Sequence, residues 1–206
     1  IEQCDAWSAL MEKDKVWNDY IAQLHAVDEL QKAALRVEWL EIAEFLKKDN
    51  LLTKIRREFG KASPFDFRRA LWDDVVYENF QPLGALFHFG PGNSLGTNVL
   101  TVVEGLLTGN INLLKPSDMF LNVVRTFFEV WLNNDLSGEL QKRICVLGID
   151  TKQEDLVRSC LAEVQGVVFW GGTEGARNVR AMIPQGVRWI EWGHRISFAY
   201  VSRQSL

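Results

Sequence analysis

The stretch VVFWGGTEGARNVRAMI, residues 167–183, runs from an apolar segment through two glycines into a helical pattern. The apolar segment predicts a buried strand, and the pattern after it predicts a helix that begins at Thr173. A tight turn needs only one glycine, so the pair Gly171 and Gly172 calls for a second explanation. A backbone without side chains lets a large anion, such as a phosphate, approach the helix N-terminus, where free N–H groups and the helix dipole favour negative charge. The stretch therefore predicts a strand–turn–helix unit with an anion site at its turn.

The same order of strand and helix repeats after about residue 70. Short β-prone runs alternate with helical patterns: GALFHFG and 97–107, INLLK and 119–131, ICVLGI and 152–164, GVVFW and 173–182, then a last run VRWIEW. The runs are nearly continuous in apolar residues, as in parallel strands that are covered on both faces. We therefore predict an α/β fold, a Rossmann-like doubly wound parallel sheet, with ligands at the carboxyl ends of its strands.

The first 70 residues carry a different pattern. Apolar residues recur at helical spacing over 7–24 and over 30–46. The predicted apolar faces consist of Val16, Tyr20 and Leu24 in the first stretch and of Leu30, Ala33, Val37 and Leu40 in the second. TKIRREFG predicts a helix that ends at Gly60, and ASPF predicts a loop. We therefore divide the chain into an N-terminal helical segment, 1–70, which is a cap or an oligomerisation arm, and an α/β domain, 71–206.

Composition excludes several classes of protein. With 47% hydrophobic and 24% charged residues, the 206-residue chain is typical of a globular protein. Its net charge of −4 argues against nucleic-acid binding, and the sequence contains no apolar run of about 18 residues that could span a membrane. Cys4, Cys145 and Cys160 lack metal-ligand spacing, and apolar neighbours predict that Cys145 and Cys160 are buried. This cysteine usage favours a cytoplasmic setting.

Polar residues follow the first two predicted strands, where ligands are expected. Asn93, in FHFGPGNSLG, is either the N-cap of the next helix or an amide donor in the cleft. Lys115 closes the second strand in NLLKPSD and is either a solvated strand end or a ligand group. Ser117 starts the next helix, and the helix dipole accounts for an acid such as Asp118 there. The fingerprint GxGxxG is absent.

An acidic residue follows in the last run, WIEWGHR. Glu191 has apolar neighbours on both sides, an environment that raises the pKa of a carboxylate toward the range of a general base. The alternative is a structural ion pair with Arg188 or Arg195. His194 beside the strand is interpreted as structural.

Together these motifs resemble the aldehyde dehydrogenase superfamily. GPGN, GLLTGNINLLKPSD, VVFWGGTEGAR and WIEWGHRISFAYV are similar, in order and approximate spacing, to P-W-N, G-N-x-x-x-x-K-P, F-T-G-S-T-x-x-G and L-E-L-G-G-K of that superfamily. KIRREFG, VEGLLTGN, NINLLKPS and above all IEWGHRISFAYV resemble its long-chain acyl-CoA reductase branch, the LuxC-type fatty acid reductases of bacterial luminescence. The resemblance covers about residues 50 to 201.

The resemblance implies a nicotinamide nucleotide site. Lys115 matches the lysine that holds the adenosine ribose or the phosphate of NADP, with Ser117 and Asp118 lining the ribose pocket. Gly171 and Gly172 match the turn that lets the pyrophosphate approach the helix at Thr173. Gly172 replaces the usual serine, so backbone donors must serve in its place.

The resemblance also assigns catalytic residues. Asn93 matches the asparagine whose amide stabilises an oxyanion, and Glu191 matches the general base. His194 and Arg195 stand where the superfamily has G-K. The nucleophilic cysteine of the superfamily lies beyond its E-L-G motif, which here is beyond Leu206. We therefore expect this chain to be a fragment that is inactive alone.

The implied activity is NADPH-dependent reduction of a fatty acyl thioester, acyl-CoA or an acyl-protein thioester, to the aldehyde through a cysteine acyl-enzyme. NAD stays an alternative cofactor, because Asp118 would repel a 2′-phosphate. The alternative functions are a short-chain CoA-acylating or ordinary aldehyde dehydrogenase and a non-catalytic nucleotide-binding module. The resemblance further implies a homo-oligomer, with acyl-transferase and synthetase partner subunits.

Overall fold

A computed structural model describes residues 1–25, 27–60, 65–66, 68–69, 75–150 and 152–193. The N-terminal part contains α1 (Glu2–Met11), α2 (Asp14–Gln23), α3 (Glu29–Phe45) and α4 (Lys48–Phe59). The sequence pattern predicts one helical stretch over 7–24, but the structure has two helices there. The reason is that Lys13 is extended, with φ −86° and ψ 125°, and interrupts the helix before Asp14.

The ends of the next two helices follow from local chemistry. Asp28 caps α3 in a reciprocal capping box: its carboxylate accepts from the Gln31 N–H at 2.8 Å, and its own N–H donates to the Gln31 side chain at 3.3 Å. Helix α4 ends at Gly60, whose φ of 81° is left-handed and favours glycine. The helix end that TKIRREFG predicts is thereby confirmed.

Strands and helices then alternate as the sequence predicts. A short antiparallel pair, β1 (Arg68–Arg69) and β2 (Tyr77–Glu78), comes first. The main strands are β3 (Ala85–Phe89), β4 (Ile111–Lys115), β5 (Ile144–Val146), β6 (Gly166–Trp170) and β7 (Arg188–Trp192). The helices between them are α5 (Leu95–Leu107), α6 (Leu121–Asn133), α7 (Glu154–Ala162) and α8 (Thr173–Arg180), with a 3₁₀ turn at Asp118–Phe120 before α6.

The five main strands form one parallel sheet in the order β5-β4-β3-β6-β7. The predicted α/β fold is therefore confirmed. The chain winds outward from β3 to β5 and then returns to β6 on the other side of β3. The strand order reverses between β3 and β6, and open α/β sheets bind ligands at the carboxyl ends of strands beside such a reversal.

Each face of the sheet has its own core. The first face is covered by α5 and α6, which share an aromatic-rich core with the N-terminal helices α1 to α4. The second face is covered by α7 and α8. Tyr20 on α2 connects the N-terminal helices directly to α6, because its hydroxyl donates to the Val123 carbonyl at 3.3 Å. The division of the chain at residue 70 stays a prediction; the helices before that point pack on the sheet domain through a common core.

Two expectations about burial are wrong. The predicted apolar face of α3 points to solvent, with Leu30 81%, Val37 57% and Leu40 47% exposed, whereas the neighbouring face that carries Trp39 is buried. Cys145 is exposed rather than buried, because it lies on β5, which is at the margin of the sheet.

A buried polar chain lies under the first face of the sheet. The His88 Nε2–H donates to Asn112 Oδ1 at 3.0 Å, and its Nδ1 accepts from the Thr101 hydroxyl at 2.9 Å. Asn112 in turn donates to the Asn110 carbonyl at 3.1 Å, which fixes the orientation of its amide. Burial lowers the pKa of His88 to about 4, so this histidine is neutral and structural.

Candidate functional site

A cleft of about 750 Å³ opens at the carboxyl ends of β3, β4 and β6 and is also lined by residues of α7 and α8. Lys115, Ser117 and Asp118 line one side of it, and the rings of Phe89 and Phe169 line another part. The structure therefore brings together the three residues predicted to bind the ribose. The cleft lies beside the reversal of strand order, where a doubly wound sheet binds its ligands.

Lys115 is the most unusual group in the cleft, because a cation at the end of a buried strand is only 5% exposed. Its Nζ donates to the Pro116 carbonyl at 3.3 Å and lies 3.6 Å from Asp118 Oδ1. The Asp118 side chain is 66% exposed, so water weakens this ion pair. An ammonium buried with such long contacts retains the capacity to donate to a ligand oxygen.

Ser117 supplies a second donor. Its Oγ is buried and has no hydrogen-bond partner within the part of the chain that the structure describes. A buried hydroxyl without a partner destabilises the protein, so a hydrogen bond from this hydroxyl to a bound ligand would recover that free energy and favour binding. A Cβ on Gly92 would lie only 2.7 Å from this Oγ, so the bare backbone of Gly92 is what makes room for it.

The N-terminus of α8 is open. Gly172 is the N-cap residue, no side chain among the described residues caps the helix, and the Gly172 carbonyl accepts the Ala176 N–H at 3.0 Å. Free N–H groups and the positive end of the helix dipole meet at Thr173, as an anion site requires.

One member of the glycine pair, Gly171, has a packing role that the sequence does not reveal. Neither Gly171 nor Gly172 has a left-handed φ. A Cβ on Gly171 would lie 2.9 Å from the Phe169 ring, and one on Gly175 would lie 3.1 Å from it. Packing against Phe169 therefore explains Gly171, while access for a phosphate at Gly172 stays a prediction.

Sequence reasoning missed the cleft residues that follow β5. Lys152, Glu154 and Arg158 line the same cleft. Arg158 Nη2 lies 3.8 Å from Glu154 Oε2, and both side chains are about half exposed or more. These residues could have been predicted from the sequence. Ligands bind at the carboxyl ends of parallel strands, and residues 152–158 follow the strand predicted from ICVLGI just as Lys115 and Ser117 follow theirs.

Asn93 lies in the turn between β3 and α5 and is exposed. It is not the N-cap of α5: Ser94 fills that position, and its Oγ accepts from the Thr97 N–H at 3.0 Å. The structural alternative for Asn93 is therefore wrong, and its amide is not committed to the helix end. It does not line the cleft that contains Lys115.

Glu191 pairs in register with Phe169, so its side chain projects from the second face, on the same side as the Phe169 ring. The prediction that apolar residues enclose Glu191 is wrong. Glu191 is exposed, because β7 is an edge strand of the sheet. Its Oε2 accepts from the Trp189 indole N–H at 3.0 Å, which orients the carboxylate. His194 and Arg195 lie outside the described residues, as does any contact they make with Glu191.

The cysteines do not complete a catalytic site among the described residues. Burial raises the pKa of the Cys4 thiol to about 11, which makes it a poor nucleophile. Cys145 is accessible, but β5 and β7 are opposite margins of the sheet, so it is remote from Glu191. Across the described ranges, no group of three or more His, Cys, Asp or Glu could hold a metal, and no helix has the length and apolar character to cross a bilayer.

Comparison with solved structures shows where this fold occurs. The chain is similar to an NADP-dependent enzyme of E. coli (14% identity, 93% of this chain and 39% of that chain, TM-score 0.65). It is also similar to an NADP-dependent glyceraldehyde-3-phosphate dehydrogenase from Bacillus halodurans (15%, 92% and 39%, TM-score 0.65). A third similar structure is an NAD-dependent benzaldehyde dehydrogenase from Corynebacterium glutamicum (15%, 94% and 41%, TM-score 0.61). These identities establish the fold alone, and the chain spans about two fifths of each structure.

Comparison of the sequence with protein families is more specific. No curated protein matches the chain. A family model described as acyl-CoA reductase (LuxC) matches residues 3–205, which is nearly the whole chain and includes the N-terminal helices. The chain therefore belongs to the LuxC acyl-CoA reductase family.

Proposed function

We propose that this chain is the nucleotide-binding part of an enzyme that reduces a fatty acyl thioester to the aldehyde. The observation that carries the proposal is the cleft at the carboxyl ends of the strands, where the buried Lys115 ammonium and the unpartnered Ser117 hydroxyl lie together. Membership in an acyl-CoA reductase family supports the reaction type. In this proposal residues 71–206 bind the nucleotide, and residues 1–70 support them.

The donors in the cleft fit a nicotinamide nucleotide. Ribose hydroxyls and pyrophosphate oxygens accept hydrogen bonds from ammonium, hydroxyl and backbone N–H groups. Lys115 and Ser117 would hold the adenosine ribose, and the open N-terminus of α8 at Thr173 would hold the pyrophosphate. When bound, the nicotinamide supplies the hydride.

We infer that the preferred cofactor is NADPH. Three cationic side chains, Lys115, Lys152 and Arg158, line the cleft, against the two carboxylates Asp118 and Glu154. A 2′-phosphate carries negative charge that this excess of cations attracts. Asp118 opposes that choice, but its largely exposed side chain is screened by water.

The reaction would use two further residues of this chain. A cysteine thiolate, beyond Leu206 by the family resemblance, attacks the thioester carbonyl carbon, and coenzyme A leaves as a thiolate. The Asn93 amide donates to the carbonyl oxygen as it becomes an oxyanion. Glu191 would serve as a general base for water in thioester hydrolysis, with the Trp189 indole holding its carboxylate. In the reductive route, which competes with that hydrolysis, the hydride that a bound nicotinamide would supply would add to the acyl carbon, and cleavage of the C–S bond would release the aldehyde and the cysteine thiolate.

The direct test uses the full-length enzyme with palmitoyl-CoA as the probe. We expect NADPH to be oxidised in proportion to the aldehyde formed, and isothermal titration to show tighter binding of NADPH than of NADH. A clear preference for NADH would overturn the cofactor choice. Absence of acyl-CoA reduction, together with oxidation of free aldehydes, would instead make the protein an ordinary aldehyde dehydrogenase.

The role of Glu191 has its own test. Because Glu191 is exposed, Glu191→Gln should leave the melting temperature unchanged while slowing hydrolysis of the acyl thioester about tenfold or more. Glu163→Gln, at an exposed position after α7, is the matched control and should change neither quantity. A lower melting temperature with unchanged kinetics would make Glu191 a structural residue.

A further inference from the structure

Glu38 of α3 contacts the start of α5 although it lies more than fifty residues away in the sequence. One carboxylate oxygen, Oε2, accepts from the Ser94 hydroxyl at 2.8 Å and from the Gly96 N–H at 2.7 Å. A Cβ on Gly96 would lie 3.4 Å from that same oxygen, which is ordinary van der Waals contact, so the approach of Glu38 does not depend on the glycine. A carboxylate at a helix N-terminus is also favoured by the helix dipole.

Glu38 contacts Ser94, which is the N-cap residue of α5. Ser94 Oγ donates to Glu38 and accepts from the Thr97 N–H at 3.0 Å, so Glu38 fixes the rotamer of the cap. The hydroxyl of Thr97 donates to the same Ser94 oxygen at 3.1 Å. The side chains of Ile42, Leu95 and Val99 are buried beneath this network, which gives α3 and α5 a rigid base.

The other side of the same turn is held from within α5. The Asn98 amide donates to the Pro91 carbonyl at 3.0 Å and to the Ser94 carbonyl at 2.7 Å. The Gly90 N–H donates to the Lys115 carbonyl at 2.9 Å, which ties the turn to β4. Asn93 therefore sits in a turn whose backbone is fixed on both sides, while its own side chain stays exposed.

We propose that Glu38 is a positioning residue for Asn93, by which the N-terminal helices take part in the reaction rather than only covering the sheet. The inference rests on the proposed function, because it assumes that the Asn93 amide stabilises the oxyanion. An oxyanion donor must be held in place before charge develops, since a displacement of about 1 Å can cost on the order of a hundredfold in rate. Glu38 holds Ser94, the residue next to Asn93, by a hydrogen bond of 2.8 Å to its hydroxyl, and it holds the following turn of backbone by a second bond of 2.7 Å from the Gly96 N–H.

The test compares variants of the full-length enzyme in acyl-CoA reduction. Glu38→Ala should lower kcat about 10- to 100-fold and leave KM for NADPH unchanged, because the nucleotide cleft does not include Glu38. Glu38→Gln keeps an acceptor oxygen and should retain most of the activity. Glu41→Ala, at an exposed position of the same helix, is the matched control and should behave as the wild type.

A double-mutant cycle separates positioning from general stability. If Glu38 acts through Asn93, then Glu38→Ala should have almost no effect on kcat in an Asn93→Ala background. Additive effects, an unchanged kcat in Glu38→Ala, or an unchanged kcat in Asn93→Ala would each overturn the inference. If Glu38→Ala does not fold, Ser94→Gly takes its place in the cycle, because glycine is tolerated at an N-cap and lacks the hydroxyl. A wild-type enzyme without acyl-CoA reductase activity would refute the proposed function before any variant is compared.

Discussion

The two faces of the sheet are built on opposite principles. Under the first face, Trp39 lies at the centre of an aromatic cluster. The centroid of its ring is 5.0 Å from that of Tyr20, 5.6 Å from that of Phe127 and 6.0 Å from that of Trp7. Its indole N–H donates to the Met11 carbonyl at 2.9 Å. On the second face, a cleft of about 750 Å³ is lined by residues of α7 and α8 and by the buried Lys115.

The difference shows how one sheet serves stability and binding at once. Aromatic pairs add about 0.5–1.5 kcal/mol each beyond the area they bury, so the closed part of the first face, around Trp39, contributes strongly to stability. The rest of that face, near Ile190 and Trp192, borders a separate cavity of about 340 Å³. The open face keeps a buried cation and an unpartnered hydroxyl, both of which cost free energy until a ligand binds them. Substitutions on the first face should therefore change stability, and those on the second should change affinity.

The largest effect is expected from Trp39→Ala on the closed face. The side chain is fully buried, so its removal should lower the free energy of unfolding by about 3–5 kcal/mol. Trp192→Ala is the control, because that side chain is 43% exposed and should cost about 1 kcal/mol or less. Urea denaturation followed by circular dichroism measures both. Equal losses in the two variants would mean that the aromatic core around Trp39 is not what stabilises the fold.

Lys115→Met tests the open face. Methionine fills similar space without the buried charge, so stability should be unchanged or slightly higher. Loss of a charge-assisted hydrogen bond should raise the dissociation constant for NADPH about 10- to 100-fold, as measured by isothermal titration on the full-length enzyme. An unchanged dissociation constant would remove Lys115 from the binding site.

The pH dependence of stability tests the closed face again. The folded-state pKa of His88, about 4, lies below the unfolded value of 6.5, because burial disfavours the charged ring. Below about pH 6.5 the unfolded chain therefore binds a proton at His88 that the native protein does not bind. The contribution of neutral His88 to the free energy of unfolding is complete above about pH 6.5 and is lost as the pH falls toward 4. Between pH 7 and pH 5 the loss should be about 2 kcal/mol.

His88→Gln provides the comparison, since glutamine does not titrate but still hydrogen-bonds. Urea denaturation at pH 7 and pH 5 should show a stability loss that is about 2 kcal/mol larger in the wild type than in the variant. Parallel losses in the two proteins would mean that His88 is accessible to protons.

The smallest effect on stability is expected at Gly171, which packs against Phe169 at the wall of the cleft. Gly171→Ala places a methyl group 2.9 Å from the Phe169 ring and should cost about 1 kcal/mol of unfolding free energy. In a Phe169→Leu background the same substitution should cost less, because the ring that it strikes is gone. A cost that does not depend on residue 169 would point to another role for Gly171.

The positions of the strands and of several helix ends follow from local sequence patterns. All five main strands lie where continuous apolar runs predict them, and the positive φ of Gly60 ends α4 at the predicted residue. The position of Lys115, Ser117 and Asp118 in one cleft was also predictable, because in parallel sheets a residue that closes or follows a strand lies at the carboxyl edge, where ligands bind. Local periodicity and backbone preference carry this information.

Contacts between distant side chains depend on the three-dimensional arrangement of the elements. This arrangement placed Ser94 rather than Asn93 at the cap of α5, exposed Glu191 and Cys145 on marginal strands, and added Arg158 to the cleft. It also brought Glu38 to Ser94, a contact that no local pattern records. Strand order and helix packing set these outcomes, because burial and contact between distant residues depend on which elements become neighbours, and no stretch of the chain encodes its neighbours alone.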